Sequence, residues 1–246
     1  VLSLLIMAGI GSYAQKAQPA AITRFYQYTG TIDKYPVTFL LHRVNNDFFG
    51  TYYYQSSGSP IIISGRINEK GFLEMTHTSR DENHHETFEG LFRDSSFSGT
   101  WRSNAKKLAF EVSEKKDNST LQFDYIWTYG TKKLTKKPAY MSHIEGLDYD
   151  TRAVWPTAHS KHPSKQLIQQ TIREMFGEKN SNDEVGKVML RQKNNFLNTP
   201  EDSVIDYESS ETVDIAYFDA RLIGLSRGWS NYSGGAHGIY GTSYTN

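Results

Sequence analysis

Short segments with alternating apolar and polar residues follow one another from residue 22 to about residue 127. Turn-forming residues separate them, for example Asn45-Asn46-Asp47 and Lys70-Gly71, so that segments recur about every eight to twelve residues. Spacing of this kind is typical of an antiparallel meander whose strands close, or nearly close, into a barrel. We therefore predict a barrel-like, all-β first domain.

Glycines inside these segments indicate where the sheet bends. Four of them lie shortly before a large apolar or aromatic group: Gly50, Gly65, Gly90 and Gly99. The aromatic side chains beside them should fill the inside of the curled sheet. These are Tyr52, Tyr54, Phe92 and Trp101. Tyr53 should point the opposite way, because successive side chains of a strand alternate between its faces.

The pattern changes after residue 140. Residues 146–156 alternate cleanly and predict a strand with one buried face. That face would carry Leu147, Tyr149, Thr151, Ala153 and Trp155. Apolar residues then recur at helical spacing, which predicts an amphipathic helix from Pro163 to Gly177. Its buried stripe would be Ile168, Ile172, Met175 and Phe176.

A second helix and a long strand are expected next. Ser181 and Glu184 have the spacing of a capping box, which predicts a helix that ends before Pro200. Residues 211–229 predict one long strand, whose alternation slips near Phe218 as it would at a β-bulge.

The glycine-rich run NYSGGAHGIYG, residues 231–241, lies between two strand patterns. Gly234 and Gly235 supply the backbone freedom that a tight hairpin turn needs. A phosphate-binding loop would need a following helix with Lys and Ser or Thr, and a nucleophile elbow would need the order Gly-x-Ser-x-Gly. The run therefore predicts a hairpin turn that leaves His237 in solvent.

Histidines and acids form no recognisable metal or catalytic set. His84 and His85 adjoin acids, but neighbours on a strand point to opposite faces. Asp148 and Asp150 fall on the exposed face of their strand, and nothing singles out a catalytic pair. We therefore predict no metal, no cofactor and no catalytic residue. A hydrolase that pairs His237 with a nearby carboxylate, and a structural assembly subunit with an apolar surface patch, remain as alternatives.

The whole chain is therefore expected to be α+β. We predict an antiparallel β domain over residues 22–129 and a linker over residues 130–139, because GTKKLTKKP combines four lysines with glycine and proline. An α+β domain would follow over residues 140–246. It is expected to be truncated at its C-terminus, because nothing is left in the sequence to cover the last sheet.

The N-terminal residues indicate export. An apolar run, Val1 to Ile10, precedes Ser12-Tyr13-Ala14, which fits the cleavage pattern of a signal peptide, so residues 1–14 are interpreted as the remnant of one. The chain has no cysteine, which excludes disulfides and a lipid-modified N-terminal cysteine. Its net charge of zero argues against nucleic-acid binding. We expect a periplasmic or secreted protein with no membrane span after signal cleavage.

The run from Tyr232 to His237, Tyr-Ser-Gly-Gly-Ala-His, resembles the strongest motif of a bacterial extracytoplasmic domain of unknown function. That domain occurs in a lysozyme-sensing anti-sigma factor and beside a peptidoglycan deacetylase. The first half resembles the β-rich segment that precedes it in Bacteroidetes envelope proteins. The resemblance implies an exported, non-enzymatic module that binds a partner or works next to an envelope enzyme.

Taken together, the sequence favours a binding module for a cell-wall component or a protein partner, with peptidoglycan fragments or a lysozyme-like protein as candidates. Aromatic side chains are favoured at such interfaces. The candidate binding residues are Tyr53, Trp101, Tyr232 and His237.

Overall fold

The computed structural model describes residues 22–78, 85–115, 121–135, 144–219, 221–235 and 237–245. The expected signal peptide lies outside these residues. The described part is α+β, with thirteen strands and two α-helices, and most of it is β-structure. None of the helices found there has the length and hydropathy that a membrane span requires.

The first eight strands form a closed antiparallel barrel in chain order. They are β1 (Thr23–Ile32), β2 (Tyr35–Val44), β3 (Asp47–Tyr54), β4 (Ile61–Ile67), β5 (Phe72–Thr78), β6 (His85–Arg93), β7 (Ser96–Ser103) and β8 (Lys106–Glu114). The barrel closes where β1 pairs with β8, from Tyr28 opposite Glu114 to Ile32 opposite Phe110. The predicted meander is therefore confirmed, and its strands close completely.

Aromatic side chains fill the barrel, as the sequence predicted. Tyr52, Phe92 and Trp101 are buried inside it, and Tyr54 packs against the same cluster. The Tyr52 hydroxyl and the Trp101 indole N–H both donate to the carboxylate of Glu86. The interior is thus a packed core.

Two of the strand glycines lie directly opposite each other and allow the sheet to curl. Gly90 on β6 pairs with Gly99 on β7. A Cβ atom at Gly90 would lie 2.0 Å from the carbonyl oxygen of Ser98, so no larger residue fits without moving the backbone. These glycines are needed for a close backbone approach.

The remaining strands form a second, five-stranded sheet in the order β13-β12-β11-β10-β9. They are β9 (Phe123–Lys133), β10 (Gly146–Pro156), β11 (Glu208–Phe218), β12 (Ile223–Tyr232) and β13 (Ile239–Thr245). Helices α1 (Lys165–Met175) and α2 (Val185–Leu197) connect β10 to β11, which run parallel. A parallel pair needs such a crossover connection. A short 3-10 helix, Glu201–Ser203, precedes β11.

The helices cover one face of this sheet. All five residues predicted for the inner face of β10 are buried. In α1 the predicted stripe of Ile168, Ile172, Met175 and Phe176 is also buried, and Gly177 follows in the left-handed conformation with φ of +74°. The predicted capping box of α2 is wrong, because Glu184 is itself the N-cap residue and no side chain caps the helix.

The predicted long strand from residue 211 to 229 is also wrong, because it is a hairpin of β11 and β12. The Asp219 carboxylate accepts hydrogen bonds from the backbone N–H groups of Arg221 (2.7 Å) and Leu222 (2.8 Å) and so turns the chain. The predicted slip is real, because a bulge interrupts β11 between Ile215 and Tyr217.

The boundary between the two halves differs from the predicted one. Gly130 to Lys133 belong to β9, which pairs with β10 along its whole length. They are therefore part of the second sheet and not of a linker. The strand alternation of residues 123–129 places them in a β-structure, but it does not tell which sheet they join. Residues 136–139 of the expected linker lie outside the described part of the chain.

The barrel packs against the second sheet through a shared apolar cluster, to which it contributes Phe25, Leu40, Val44 and Tyr53. Three buried polar side chains of the barrel also bond the backbone around the β11 bulge. The Thr51 hydroxyl donates to the carbonyl of Ala216 (2.9 Å) and the Tyr53 hydroxyl to that of Phe218 (2.8 Å). The N–H of Ile215 donates to Nε2 of His42 (3.3 Å). The bulge frees backbone groups that the barrel then satisfies.

Candidate functional site

The sheet face that the helices leave open carries a groove of about 580 Å³. It spans the central strands β10, β11 and β12 at the end away from the barrel contacts. The groove is lined by Asp148, Asp150, Glu208, Ser209, Ser210, Ser230, Asn231, Tyr232 and Gly238. Its volume falls within the usual range for a small-molecule site, about 300–1,000 Å³.

The strand register brings the polar side chains onto the same face. Asp148 on β10 is paired with Glu208 on β11, which in turn is paired with Tyr232 on β12. One step along, Asp150 is paired with Ser210, and Ser210 with Ser230. Because paired residues share a face, the groove floor consists of two rows of acidic, hydroxyl and phenol groups.

Asp150 is held in place by two neighbours. Both of its carboxylate oxygens accept hydrogen bonds from the guanidinium of Arg152, two residues further along β10. One of these oxygens also accepts from the indole N–H of Trp127 on β9, at 2.8 Å. The carboxylate therefore has a fixed orientation and a neutralising partner.

Asp148 carries a less compensated charge. Burial raises the pKa of its carboxyl, the Tyr129 hydroxyl that lies 3.4 Å away lowers it, and the negative charge of Asp150 raises it again. Within the described residues, no cationic side chain forms an ion pair with Asp148 or Glu208. These two carboxylates are thus available as hydrogen-bond acceptors for a ligand.

Aromatic rings stand at both sides of the acidic floor. On β9, Trp127 and Tyr129 lie with their ring centroids 5.7 Å apart. On β13, Tyr240 is paired with Ser230 of the groove and is 80% exposed. A ligand in the groove can therefore contact rings as well as carboxylates.

The predicted site residues of the glycine-rich run lie at this groove or next to it. Tyr232 lines the groove floor at the end of β12. The run is a hairpin turn, as predicted, and Gly234 has the positive φ of +83° that such turns use. His237 is exposed in that turn, and the next residue, Gly238, lines the groove.

The other two predicted binding residues are buried, which corrects the expectation that they offer a binding surface. Tyr53 does point away from the barrel interior, but that face is covered by the second sheet. Only 4% of Tyr53 is exposed, and its ring stacks on Tyr217 with centroids 4.9 Å apart. Trp101 is 6% exposed inside the barrel. Both side chains hold the fold together.

Sequence reasoning missed most of the groove. It placed Asp148 and Asp150 correctly on the face of β10 opposite the core, but it gave them no partner. The partner strand begins with Glu208-Ser209-Ser210, a uniformly polar stretch. Its position beside β10 depends on the parallel crossover through α1 and α2, which local pattern does not reveal.

Metal-ligand geometry is not found in the groove. Among the described residues, no group of three or more histidine, aspartate and glutamate side chains is arranged to hold an ion.

Comparisons with known proteins leave the family open. No family model matches the sequence, and no curated protein does. A similar solved structure is that of a member of the DUF3298 family, a domain of unknown function, from Bacteroides fragilis. It shares 19% sequence identity at a TM-score of 0.41, over 52% of this chain and 56% of that chain. The chain thus matches little more than half the length of this neighbour, and a similarity of this size assigns no function.

Proposed function

We propose that this chain is an exported, non-catalytic binding module of the bacterial cell envelope, and that it binds a glycan fragment of the cell wall in the groove of its second sheet. The observation that carries the proposal is the lining of the groove, where Asp148 and Glu208 stand side by side and Tyr232 is the next residue across the sheet. We propose peptidoglycan fragments as the ligand.

Sugar hydroxyls match this lining. Each hydroxyl can donate to a carboxylate while it accepts from a serine hydroxyl, and the groove offers such hydroxyls in Ser210 and Ser230. Hydrogen bonds to charged groups are stronger than those between neutral groups, and each contributes about 1.5–3 kcal/mol in proteins generally. Trp127 bonds Asp150 and Tyr240 is paired with Ser230, so both rings lie next to the groove lining, where they would supply the apolar contact that the carbon faces of a sugar need.

The dimensions of the site favour a glycan over a protein partner. A stable protein interface buries about 800 Å² on each partner and centres on an apolar patch. The groove is instead concave and polar, with a volume near 580 Å³. A lysozyme-like protein is the second candidate ligand, and we make it a separate arm of the test.

The arrangement of the carboxylates supports binding over hydrolysis. Asp150 is engaged on both oxygens by Arg152 and Trp127, so it is poorly placed to accept a proton from a reacting water. His237 lies in an exposed turn.

Export is supported by the apolar N-terminal run and the Ser12-Tyr13-Ala14 cleavage pattern that follows it. The motif resemblance also suggests which kinds of protein this chain works with. Domains with the Tyr-Ser-Gly-Gly-Ala-His run stand in an anti-sigma factor and beside a peptidoglycan deacetylase. By that resemblance, the module would deliver a wall fragment, or the information that one is present, to a partner in the envelope.

The test is a binding measurement by titration calorimetry with soluble peptidoglycan fragments. We compare the wild type with the double variant Asp148→Asn/Glu208→Gln, and we use Glu111→Gln as the control, because Glu111 is an exposed carboxylate on the outside of the barrel. The double variant should bind at least about tenfold more weakly, because each charged hydrogen bond is worth about 1.5–3 kcal/mol. The control should bind like the wild type.

Two results would contradict the proposed ligand or its site. One is unchanged affinity in the double variant. The other is the absence of fragment binding together with tight binding of lysozyme, which would make a protein the ligand. Release of reducing ends from the fragments during the titration would contradict the non-catalytic part.

A further inference from the structure

A chain of side-chain contacts runs from the groove to the interface between the barrel and the second sheet. It begins at Asp150, which is paired with Arg152. The Arg152 guanidinium lies over the ring of Phe49 on barrel strand β3, 5.2 Å from its centroid. The groove carboxylate is therefore fixed by a residue that itself rests on the barrel.

The same barrel ring contacts a buried histidine. His42 on β2 is paired with Phe49, and their rings stack at 5.9 Å with an interplanar angle of 12°. On the other side, Nε2 of His42 lies 3.9 Å from Asp214, and the Tyr125 hydroxyl donates to this same carboxylate at 2.9 Å. His42 is fully buried, and its Nδ1 has no hydrogen bond of normal geometry.

We propose that Arg152 is a positioning residue through which the barrel sets the geometry of Asp150 in the groove, and that protonation of His42 disturbs this geometry. The inference rests on the proposed function, because it concerns the same groove. It makes the barrel part of the binding apparatus, although the barrel contributes no residue to the groove lining.

The hydrogen-bond pattern explains why protonation of His42 has an effect. Nε2 accepts the N–H of Ile215, so the ring is neutral with its proton on Nδ1. A protonated ring carries N–H on both nitrogens and can no longer accept. In the protonated ring, the N–H on Nε2 would face the N–H of Ile215 and repel it. The positive ring would also attract the carboxylate of Asp214, which accepts a hydrogen bond from the Tyr125 hydroxyl.

The charge on a protonated His42 would act on the groove through the charged groups between them. The charged and titratable groups that face His42 are Asp214 on β11 and Tyr125 on β9. Phe49 of β3 presents its ring and its backbone, and a backbone hydrogen bond with Phe49 raises the pKa of His42 against the lowering by burial; Phe25 of β1 presents only an apolar ring. Arg152 on β10 lies within electrostatic range of both Asp214 and Tyr125. If Asp214 moves towards the imidazolium, the field at Arg152 changes, and so does its bond to Asp150.

The experiment follows the indole N–H signal of Trp127, which reports on the bond to Asp150, by nuclear magnetic resonance of the ¹⁵N-labelled chain. The signal is recorded from pH 8 down to the onset of acid unfolding, because burial lowers the pKa of His42, and the ring nitrogen signals of His42 are recorded with it. We expect the Trp127 signal to shift with the midpoint of the His42 titration. The shift should vanish in His42→Gln, which keeps an acceptor but cannot be charged, and persist in His159→Gln, where an exposed histidine is removed.

A second variant keeps the test decisive if His42→Gln does not fold. Phe49→Leu removes the ring under Arg152, so at pH 7.5 it should shift the Trp127 signal and weaken binding of peptidoglycan fragments about 2- to 30-fold. The control is Phe72→Leu, an exposed ring elsewhere on the barrel.

The inference is overturned if the Trp127 signal does not shift over the pH range in which His42 titrates, or if the same shift persists in His42→Gln. It is also overturned if Phe49→Leu leaves the Trp127 signal at its wild-type position. The spectroscopic part needs no ligand. A failure of the wild type to bind fragments would therefore contradict the proposed function and leave this coupling to be judged on its own result.

Discussion

Tyr53 lies in the interface between the barrel and the second sheet, and its hydroxyl is expected to contribute to the stability of the protein. The substitution Tyr53→Phe removes one hydroxyl and keeps the ring that stacks on Tyr217. In the wild type, that hydroxyl donates to the carbonyl of Phe218 at 2.8 Å, in a site where Tyr53 is buried. The substitution therefore leaves a buried carbonyl without this partner.

The expected cost follows from hydrogen-bond energetics. An unsatisfied buried acceptor costs about 1–3 kcal/mol, and the lost van der Waals contact of one oxygen atom adds little. For a chain of 246 residues, each kcal/mol lowers the melting temperature by about 2–4 °C. We therefore expect Tyr53→Phe to melt about 2–12 °C below the wild type.

The assay is thermal and urea unfolding of both proteins, with Tyr35→Phe as the control, because Tyr35 is a half-exposed tyrosine on the neighbouring strand β2. The control should stay within about 0.5 kcal/mol of the wild type. If Tyr53→Phe were as stable as Tyr35→Phe, the hydroxyl would not hold the barrel on the sheet, and the account of this interface would be wrong.

Three further predictions concern the same scaffold. Thr51→Val removes the bond to the Ala216 carbonyl at nearly constant volume and should lower the unfolding free energy by about 1–3 kcal/mol in urea titrations. Burial lowers the pKa of His42, so above about pH 6.5 the ring is neutral in the folded and in the unfolded chain. Below about pH 6.5 the unfolded chain binds the proton first, so the unfolding free energy should fall by up to about 1.4 kcal/mol per pH unit. The variant His42→Gln should lack this slope. Gly90→Ala places a Cβ atom 2.0 Å from the Ser98 carbonyl and should cost more than about 2 kcal/mol or prevent folding, which circular dichroism would show.

Local pattern was sufficient for most of the elements. All eight barrel strands, the inner face of β10 and the stripe of α1 follow from alternation and helical spacing, because each of these elements buries one face. Gly90 and Gly99 were expected to mark bends because glycine has no local advantage inside a strand, whereas their pairing with each other is seen only in the structure.

The errors share a physical cause, which is long-range pairing. Residues 211–229 alternate like one strand, yet the side chain of Asp219 turns the chain by bonding its own backbone neighbours. The lysine-rich run was interpreted as a linker, although Gly130 to Lys133 pair with β10. Neither the partner strand nor the competition between turn and strand is visible in local periodicity.

The candidate site depended even more on distant contacts. Tyr53 was expected on an outer face, which was right, but a sheet more than 150 residues away covers that face, as shown by its bond to Phe218. The groove joins β10 and β11 across two helices, so Asp148 and Glu208 meet only in the folded chain. The composition shows that the chain contains acidic residues, but it does not show which of them lie next to each other in the folded chain.

The most direct test of the central claim is a map of where a wall fragment binds. Backbone amide signals of the ¹⁵N-labelled chain would be followed during titration with soluble peptidoglycan fragments at pH 7.5. The account predicts saturable shifts concentrated at Asp148, Asp150, Glu208, Ser210 and Tyr232, with the barrel interior unaffected. Shifts centred on any other surface, or no shifts at millimolar fragment, would contradict the claim that this groove is the binding site.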